Sequence, residues 1–206
     1  MNSSKKSILN SNFTYLAAFV LPVIMMMALY YTRGIFPWGN ECYLRSDMYH
    51  QYAPFFSELW HKIRNGESLT YSWNIGMGTN FTSLFAYYLA SPSNWFVALF
   101  PQKYTIEIMN AFIILKIAGS SLSLTYYLTK HNNNKHVIAA IFGMFYGMSG
   151  FIAAYSWNIM WLDCVILIPL IMLGLERLVN ENRCIFYCIT LGLCLSLIHI
   201  SEPTRR

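Results

Sequence analysis

Two carboxylates stand where a membrane-like sequence ordinarily has none. Asp47 lies in "LRSDMYHQYAPFF", Leu44 to Phe56, 15 residues past a long uncharged run, and Asp163 lies in "YSWNIMWLDCVILIPL", a few residues into another. An acid at a membrane boundary, partly desolvated by rings such as Tyr49 and Tyr52, has surroundings that suit a general base. An ionisable group inside an apolar span is costly and reads as functional by default. Each acid also has a structural reading. Asp47, or Ser46 before it, can cap the helix that follows; Asp163 can pair with Arg33, Arg45 or a backbone group.

The remaining polar candidates are less specific. His50 can shuttle a proton, bind a phosphate when charged, or pack as a hydrogen-bonded ring. Arg33, Arg45, Lys62, Arg64 and Lys103 can hold an anionic headgroup or a pyrophosphate, or lie solvated and snorkelling. Lys116 is mid-span and needs a partner. Glu107 is nine positions away, too far along one helix, so the partner must come from elsewhere. The five cysteines fit neither a disulfide framework nor a zinc site and read as small apolar residues. No metal-ligand spacing is visible.

These residues need elements to hold them, and composition says which kind. The chain has 206 residues, 56% hydrophobic, 17% aromatic and only 11% charged, against about 25% charged in a soluble domain. Long apolar runs separated by clustered charges match the roughly 20 residues needed to cross a bilayer core about 30 Å thick. The expected fold is therefore all-α, a multi-spanning membrane helical bundle, with spans at about 13–32, 105–128, 137–155, 159–178 and from 184 onward. Lys5 and Lys6, then Lys130, His131, Lys135 and His136, then Arg177 and Arg183 all fall on one side of such a bundle. The positive-inside rule makes that side, and the N-terminus, cytoplasmic and the loop 33–104 extracytoplasmic. The net charge of +5 reports this topology, and no basic-aromatic pattern points to nucleic acid.

The loop is too apolar for a solvated linker. Tyr49, Tyr52, Phe55, Phe56, Leu59, Trp60 and Ile63 form the stripe of an amphipathic helix that "RNG" (64–66) ends, with Glu58, His61, Lys62 and Arg64 left to face water on a membrane surface. Tyr71 to Pro101, with Gly76, Gly78 and Pro92, reads as re-entrant or interfacial structure, because a full crossing there would put the later basic connections outside. In "GMFYGMSG" (143–150), Gly143 and Gly147 form a GxxxG that reads as close helix packing. Leu195 to Arg205, "LSLIHISEPTR", resembles translated sequencing-adapter read-through. The native unit is therefore expected at 1–194, as the N-terminal part of a longer membrane domain, with 195–206 a non-native tail. His199, Glu202, Arg205 and Arg206 carry no functional weight.

"SDMYHQYAPFF" (46–56), "NGESLTYSWNIGMGTNF" (65–81), "YYLASPSNW" (87–95) and "YSWNIMWLDCVILIPLIMLGLERL" (155–178) together resemble the YfhO family of bacterial multi-spanning membrane proteins. The resemblance implies a C-type glycosyltransferase (GT-C) fold with interfacial helices in the first outer loop. It further implies a polyprenyl-phosphate-linked sugar as donor and a cell-envelope polymer such as teichoic acid as acceptor. In such enzymes an acid in the first outer loop serves in catalysis, and the matching position is Asp47. Around it the reading places Asp163 as second acid or orienting group, with Arg45, His50 and Tyr49 as substrate contacts. Some relatives of the fold use a divalent metal, which two acids could help bind. The rival readings are a transporter or flippase of lipid-linked sugars and a non-catalytic partner in envelope assembly.

Overall fold

The computed structural model describes residues 2–133 and 137–199, with side chains for 12–133 and 137–197. Of the basic residues that set the expected topology, Lys135 and His136 lie outside the described residues, as do Glu202, Arg205 and Arg206 of the tail.

The chain is an all-α bundle. Its long helices are α1 (Asn2–Thr32), α4 (Thr105–His131), α5 (Val137–Gly147), α7 (Trp161–Glu181) and α8 (Ile185–His199). A short α6 (Gly150–Tyr155) continues from α5. The loop between α1 and α4 holds α2 (Ala53–Asn65), a two-residue hairpin β1 (Tyr71–Ser72) with β2 (Thr79–Asn80), and α3 (Phe81–Leu84). It also holds two π-helical turns, Met48–Tyr52 and Phe85–Leu89, and 3-10 turns at Pro92–Leu99 and Gln102–Tyr104.

Among the described residues, three stretches are long and apolar enough to cross a membrane: Asn12–Thr32, Gln102–His131 and Val137–Tyr155. The first three expected spans lie there. The expected fourth and fifth form helices as well, but α7 carries Asp163, Glu176, Arg177 and Glu181, and α8 contributes a shorter apolar stretch, Ile185–Leu197. The third is not continuous. Ser149 takes an extended conformation and divides α5 from α6. In contrast, α1 runs uninterrupted through Pro22.

α4 is the centre. Some 72% of its apolar stretch is buried, against 28% for α1 and 22% for α5 with α6. In hydrocarbon, apolar residues gain nothing by meeting one another, so helices are joined by close approach and polar contacts. α4 uses both. Ser121 donates to the Ala18 carbonyl of α1 at 2.6 Å, and Thr125 donates to the Ala139 carbonyl of α5 at 3.2 Å. Gly143 and Gly147 of α5 rest directly on it; a Cβ at Gly147 would sit 2.7 Å from the Ile117 carbonyl oxygen. The Tyr15 hydroxyl, bonded to Thr129 at 2.8 Å, fixes α1 antiparallel to α4.

In the loop, α2 differs from expectation in two ways. Its C-terminus is the expected one, with Gly66 left-handed (φ 65°) and its N–H on the Lys62 carbonyl. However, Glu58 and Lys62 do not face water. They are 6% and 3% exposed and form a buried i,i+4 pair at 3.7 Å. Lys62 also donates to the Ser68 and Tyr71 carbonyls, and Glu58 accepts from Ser72 at 2.6 Å and Asn74 at 3.0 Å. The hairpin folds back over this face of α2, turning a surface pair into an interior one that the helical period alone could not reveal. Tyr49, expected in the buried stripe, is 51% exposed. Here the π turn, closed by Ala53 N–H on the Met48 carbonyl, shifts the register at the start of the helix.

Burial drives the Glu58 carboxyl upward, but the Ser72 and Asn74 hydrogen bonds and the Lys62 and His61 charges outweigh it and leave the group lowered. A lowered carboxyl adds stability that is complete above its unfolded value near pH 4.3 and is lost as pH falls through the folded value. Acidification below about pH 4 should therefore loosen the hairpin, read from the emission of exposed Trp73. Lys62→Met should strand Glu58 and destabilise the loop by about 3 kcal/mol, read by limited proteolysis between residues 66 and 81.

Candidate functional site

The ends of α1, α4, α6 and α7 that face the 33–104 loop carry the polar residues of interest. Tyr43 bonds Ser156 at 3.0 Å, and Tyr52 donates to Asn158 Oδ1 at 3.0 Å, so the loop is stitched to the α6–α7 corner. Below that corner Lys116, 4% exposed, donates to Asp163 Oδ2 at 2.8 Å, to the Ile159 carbonyl at 3.1 Å and to Ser91 Oγ at 3.2 Å. Here is the partner that Lys116 required. It also corrects the expectation for Asp163, which pairs with neither Arg33 nor Arg45. A long cation in α4 reaches the acid because both lie at the same depth on facing helices.

Asp47 is half-buried and makes no capping bond. Its own backbone is helical (φ −60°, ψ −25°), so the capping reading fails: an N-cap needs an extended backbone to turn its side chain onto the following N–H groups. Its carboxylate has no ion pair or hydrogen bond among the described residues. Its charge is felt at the Tyr52 and Tyr88 hydroxyls. Tyr52 is raised above the usual phenol range by burial first and then by Tyr88, Tyr87 and Asp47; Tyr88 is raised by burial, Tyr87 and Asp47. Asp47 and Asp163 are not brought into contact. The link between them runs through Tyr52, the Asn158–Ile159 corner and Lys116.

A cavity of about 600 Å³ opens beside this region. Arg33, Arg45 and Glu41 supply its charges, and Met26, Ile117 and Ile152 are among its apolar walls. Neither arginine has a carboxylate partner among the described residues. Ser46, between Arg45 and Asp47, is left-handed (φ 49°), a conformation that costs a non-glycine residue about 1 kcal/mol and is retained where the chain must turn. The turn places Arg45 on the cavity and Asp47 beside the tyrosines. Tyr49 and His50 are exposed with their rings edge-to-face at 5.4 Å, and neither lines the cavity.

Sequence reasoning missed Tyr43, Tyr88, Gln51, Asn158 and Ser91. They bear no charge, and only the tertiary path of the loop brings them to the acids. Among the described residues no group of three or more His, Cys, Asp or Glu side chains could hold a metal ion. Asp163 is engaged by Lys116, and the residues present do not fit a divalent metal.

Apolar helices long enough to cross a bilayer, packed against a folded loop that holds a carboxylate and two arginines without partners among the described residues, mark the class as a multi-helix membrane protein. The chain belongs to the YfhO family: the family described as "Bacterial membrane protein YfhO" matches residues 17–198. The match includes 195–198, and α8 continues to His199. No curated protein and no solved structure matches the chain.

The Lys116–Asp163 pair should be structurally essential. Lys116→Met should lower stability in detergent by about 3 kcal/mol, and the double variant Lys116→Met/Asp163→Leu should recover much of that loss. Thermal unfolding of the single and double variants measures both values.

Proposed function

We propose that this chain carries the donor-binding and catalytic face of a GT-C type membrane glycosyltransferase, which moves a sugar from a polyprenyl-phosphate donor to a cell-envelope polymer such as teichoic acid. The observation that carries this reading is a carboxylate without a partner among the described residues, two residues from one of two arginines that likewise lack a carboxylate partner there and line an apolar-walled cavity. The prenyl chain lies along the cavity's apolar wall and the phosphate meets Arg33 and Arg45. Asp47 takes the proton of an acceptor hydroxyl, whose oxygen bonds to the anomeric carbon. The bond from that carbon to the phosphate oxygen breaks, and the arginines stabilise the charge that leaves with the phosphate. Asp163 acts as a positioning residue: it holds Lys116, and Lys116 holds the corner on which Tyr52 is anchored. Tyr49 and His50 lie open beside Asp47, on the acceptor's approach.

By the positive-inside rule the loop faces outward. Lys130, His131, Arg177 and Arg183 all lie at the opposite end of the bundle, which agrees with that assignment. A transporter of lipid-linked sugars is the second reading, favoured by the buried Lys116–Asp163 pair.

Asp47→Asn should abolish sugar transfer to envelope polymer in cells lacking the native enzyme, without changing membrane insertion; full transfer would remove Asp47 as the base. Arg33→Ala and Arg45→Ala should each raise the KM for donor about tenfold, the loss of one charge-assisted hydrogen bond. In intact cells an impermeant maleimide should label exposed Cys42 and spare exposed Cys184. The reverse pattern would invert the topology.

A further inference from the structure

The two π-helical turns of the loop, Met48–Tyr52 and Phe85–Leu89, are packed on each other. A π turn widens the helix by one residue and hydrogen-bonds less well than an α turn. Such turns are rare and are enriched at functional sites, where the extra residue re-aims a side chain. Two of them facing each other beside an unpartnered carboxylate call for an account in terms of what they display.

They display rings, neutral polar atoms and the exposed imidazole of His50. Tyr88 lies edge-on to Tyr52 at 5.1 Å and tilted against Phe55 at 5.0 Å, and Tyr87 and Tyr88 are 4.4 Å apart. The Tyr88 hydroxyl donates to Gln51 Oε1 at 3.3 Å, while Tyr52 is committed to Asn158. Tyr49 is half-exposed and Tyr87 partly exposed. The charge of Asp47 reaches both Tyr52 and Tyr88, and neither turn contains an Arg or Lys.

This chemistry selects its ligand. A phosphate would be repelled by Asp47 and would meet no arginine or lysine on either turn. A hydrocarbon tail would leave the Tyr49 and Tyr87 hydroxyls, the Gln51 NH2 group and the carboxylate without partners, a cost of about 1–3 kcal/mol for each group. A neutral pyranose satisfies both halves. Its axial C–H bonds meet the negative face of an aromatic ring, and its hydroxyls both donate and accept.

We propose that the facing π turns form a saccharide subsite beside Asp47, in which Tyr49 and Tyr87 receive the C–H face of a neutral pyranose while Tyr88, Gln51 and Asp47 bind its hydroxyls. The subsite deepens the glycosyltransferase reading and rests on it for its role in transfer. It divides the substrate chemistry in two, with the phosphate at the Arg33–Arg45 cavity and the uncharged sugar at the tyrosines. The raised Tyr52 and Tyr88 hydroxyls stay protonated, so the bonds they donate to Asn158 and Gln51 hold the two turns together throughout the physiological range, and the Tyr88 oxygen is left to accept from the sugar.

The test is saturation-transfer-difference NMR of the protein in lipid nanodiscs, with methyl β-D-glucopyranoside, methyl β-D-galactopyranoside and N-acetylglucosamine as probes and glycerol as the acyclic control. At least one pyranose should receive saturation at its ring C–H protons, and glycerol should receive none. Tyr88→Phe, which keeps the ring against Tyr52 and Phe55, should weaken that probe about threefold to tenfold, one hydrogen bond's worth. Tyr87→Ala should weaken it at least as much, and Gln102→Ala, remote from the turns, should leave it unchanged, with thermal unfolding confirming that each variant is folded. Absence of signal from every pyranose, or equal signal from wild type, Tyr88→Phe and Tyr87→Ala, overturns the proposal. Because this readout is binding without transfer, it is separable from the Asp47→Asn assay: an Asp47→Asn chain that still transfers sugar removes the base, whereas loss of pyranose binding removes the subsite.

Discussion

An ammonium held away from water must be satisfied from several directions at once, and Lys116 is satisfied from three. Asp163 neutralises it from α7, the Ile159 carbonyl accepts from the α6–α7 corner, and Ser91 accepts from the 33–104 loop. Each partner belongs to a different part of the chain, so the loop cannot shift relative to α4 and α7 without stranding a charge in a low-dielectric interior. Everything on the loop face takes its position from that node. The corner it fixes carries Asn158, Asn158 anchors Tyr52, and the charge of Asp47 reaches the Tyr52 hydroxyl.

The loop has its own version of the same device. Glu58 and Lys62 are roofed by a hairpin whose Ser72 and Asn74 complete the carboxylate's hydrogen bonds. The loop also supplies apolar residues to the core, among them Met48, Phe56, Leu59, Phe81 and Leu89, and a buried polar network adds specificity to that packing when every member is satisfied. Trp60 donating to the Phe100 carbonyl and Gln102 donating to Ser57 tie the far end of the loop to the same helix. The loop is accordingly held by hydrogen bonds at several points, and Asp47, Arg33 and Arg45 are charges on it without a partner among the described residues.

The helical class and the positions of α1, α4 and the α5–α6 pair were legible in the sequence, because a hydrocarbon solvent writes itself into residue choice more plainly than water does. The stop at Gly66 and the packing role of Gly143 and Gly147 were legible for local steric reasons. Burial of Glu58 and Lys62 was not, since a helical wheel cannot know that a hairpin fifteen residues on will cover its polar face. Neither was the pairing of Lys116 with Asp163: both were marked as needing partners, but 47 residues and two helices separate them. The expectation that Asp47 caps a helix failed because the chain enters that helix through a π turn, which no periodicity of 3.6 predicts. The family match covers the chain from residue 17 to 198 and adds membership to the physics of the individual residues.

Ser46 offers a last consequence. Its left-handed backbone lies between Arg45, which lines the cavity, and Asp47, whose charge reaches Tyr52. Two virtual bonds of 3.8 Å limit the separation of those backbone positions to about 7 Å, whatever the helices around them do. That backbone separation is set by covalent geometry and is insensitive to breathing of the bundle or to bilayer thickness. A membrane protein whose helices tilt with their lipid surroundings would keep this one dimension constant.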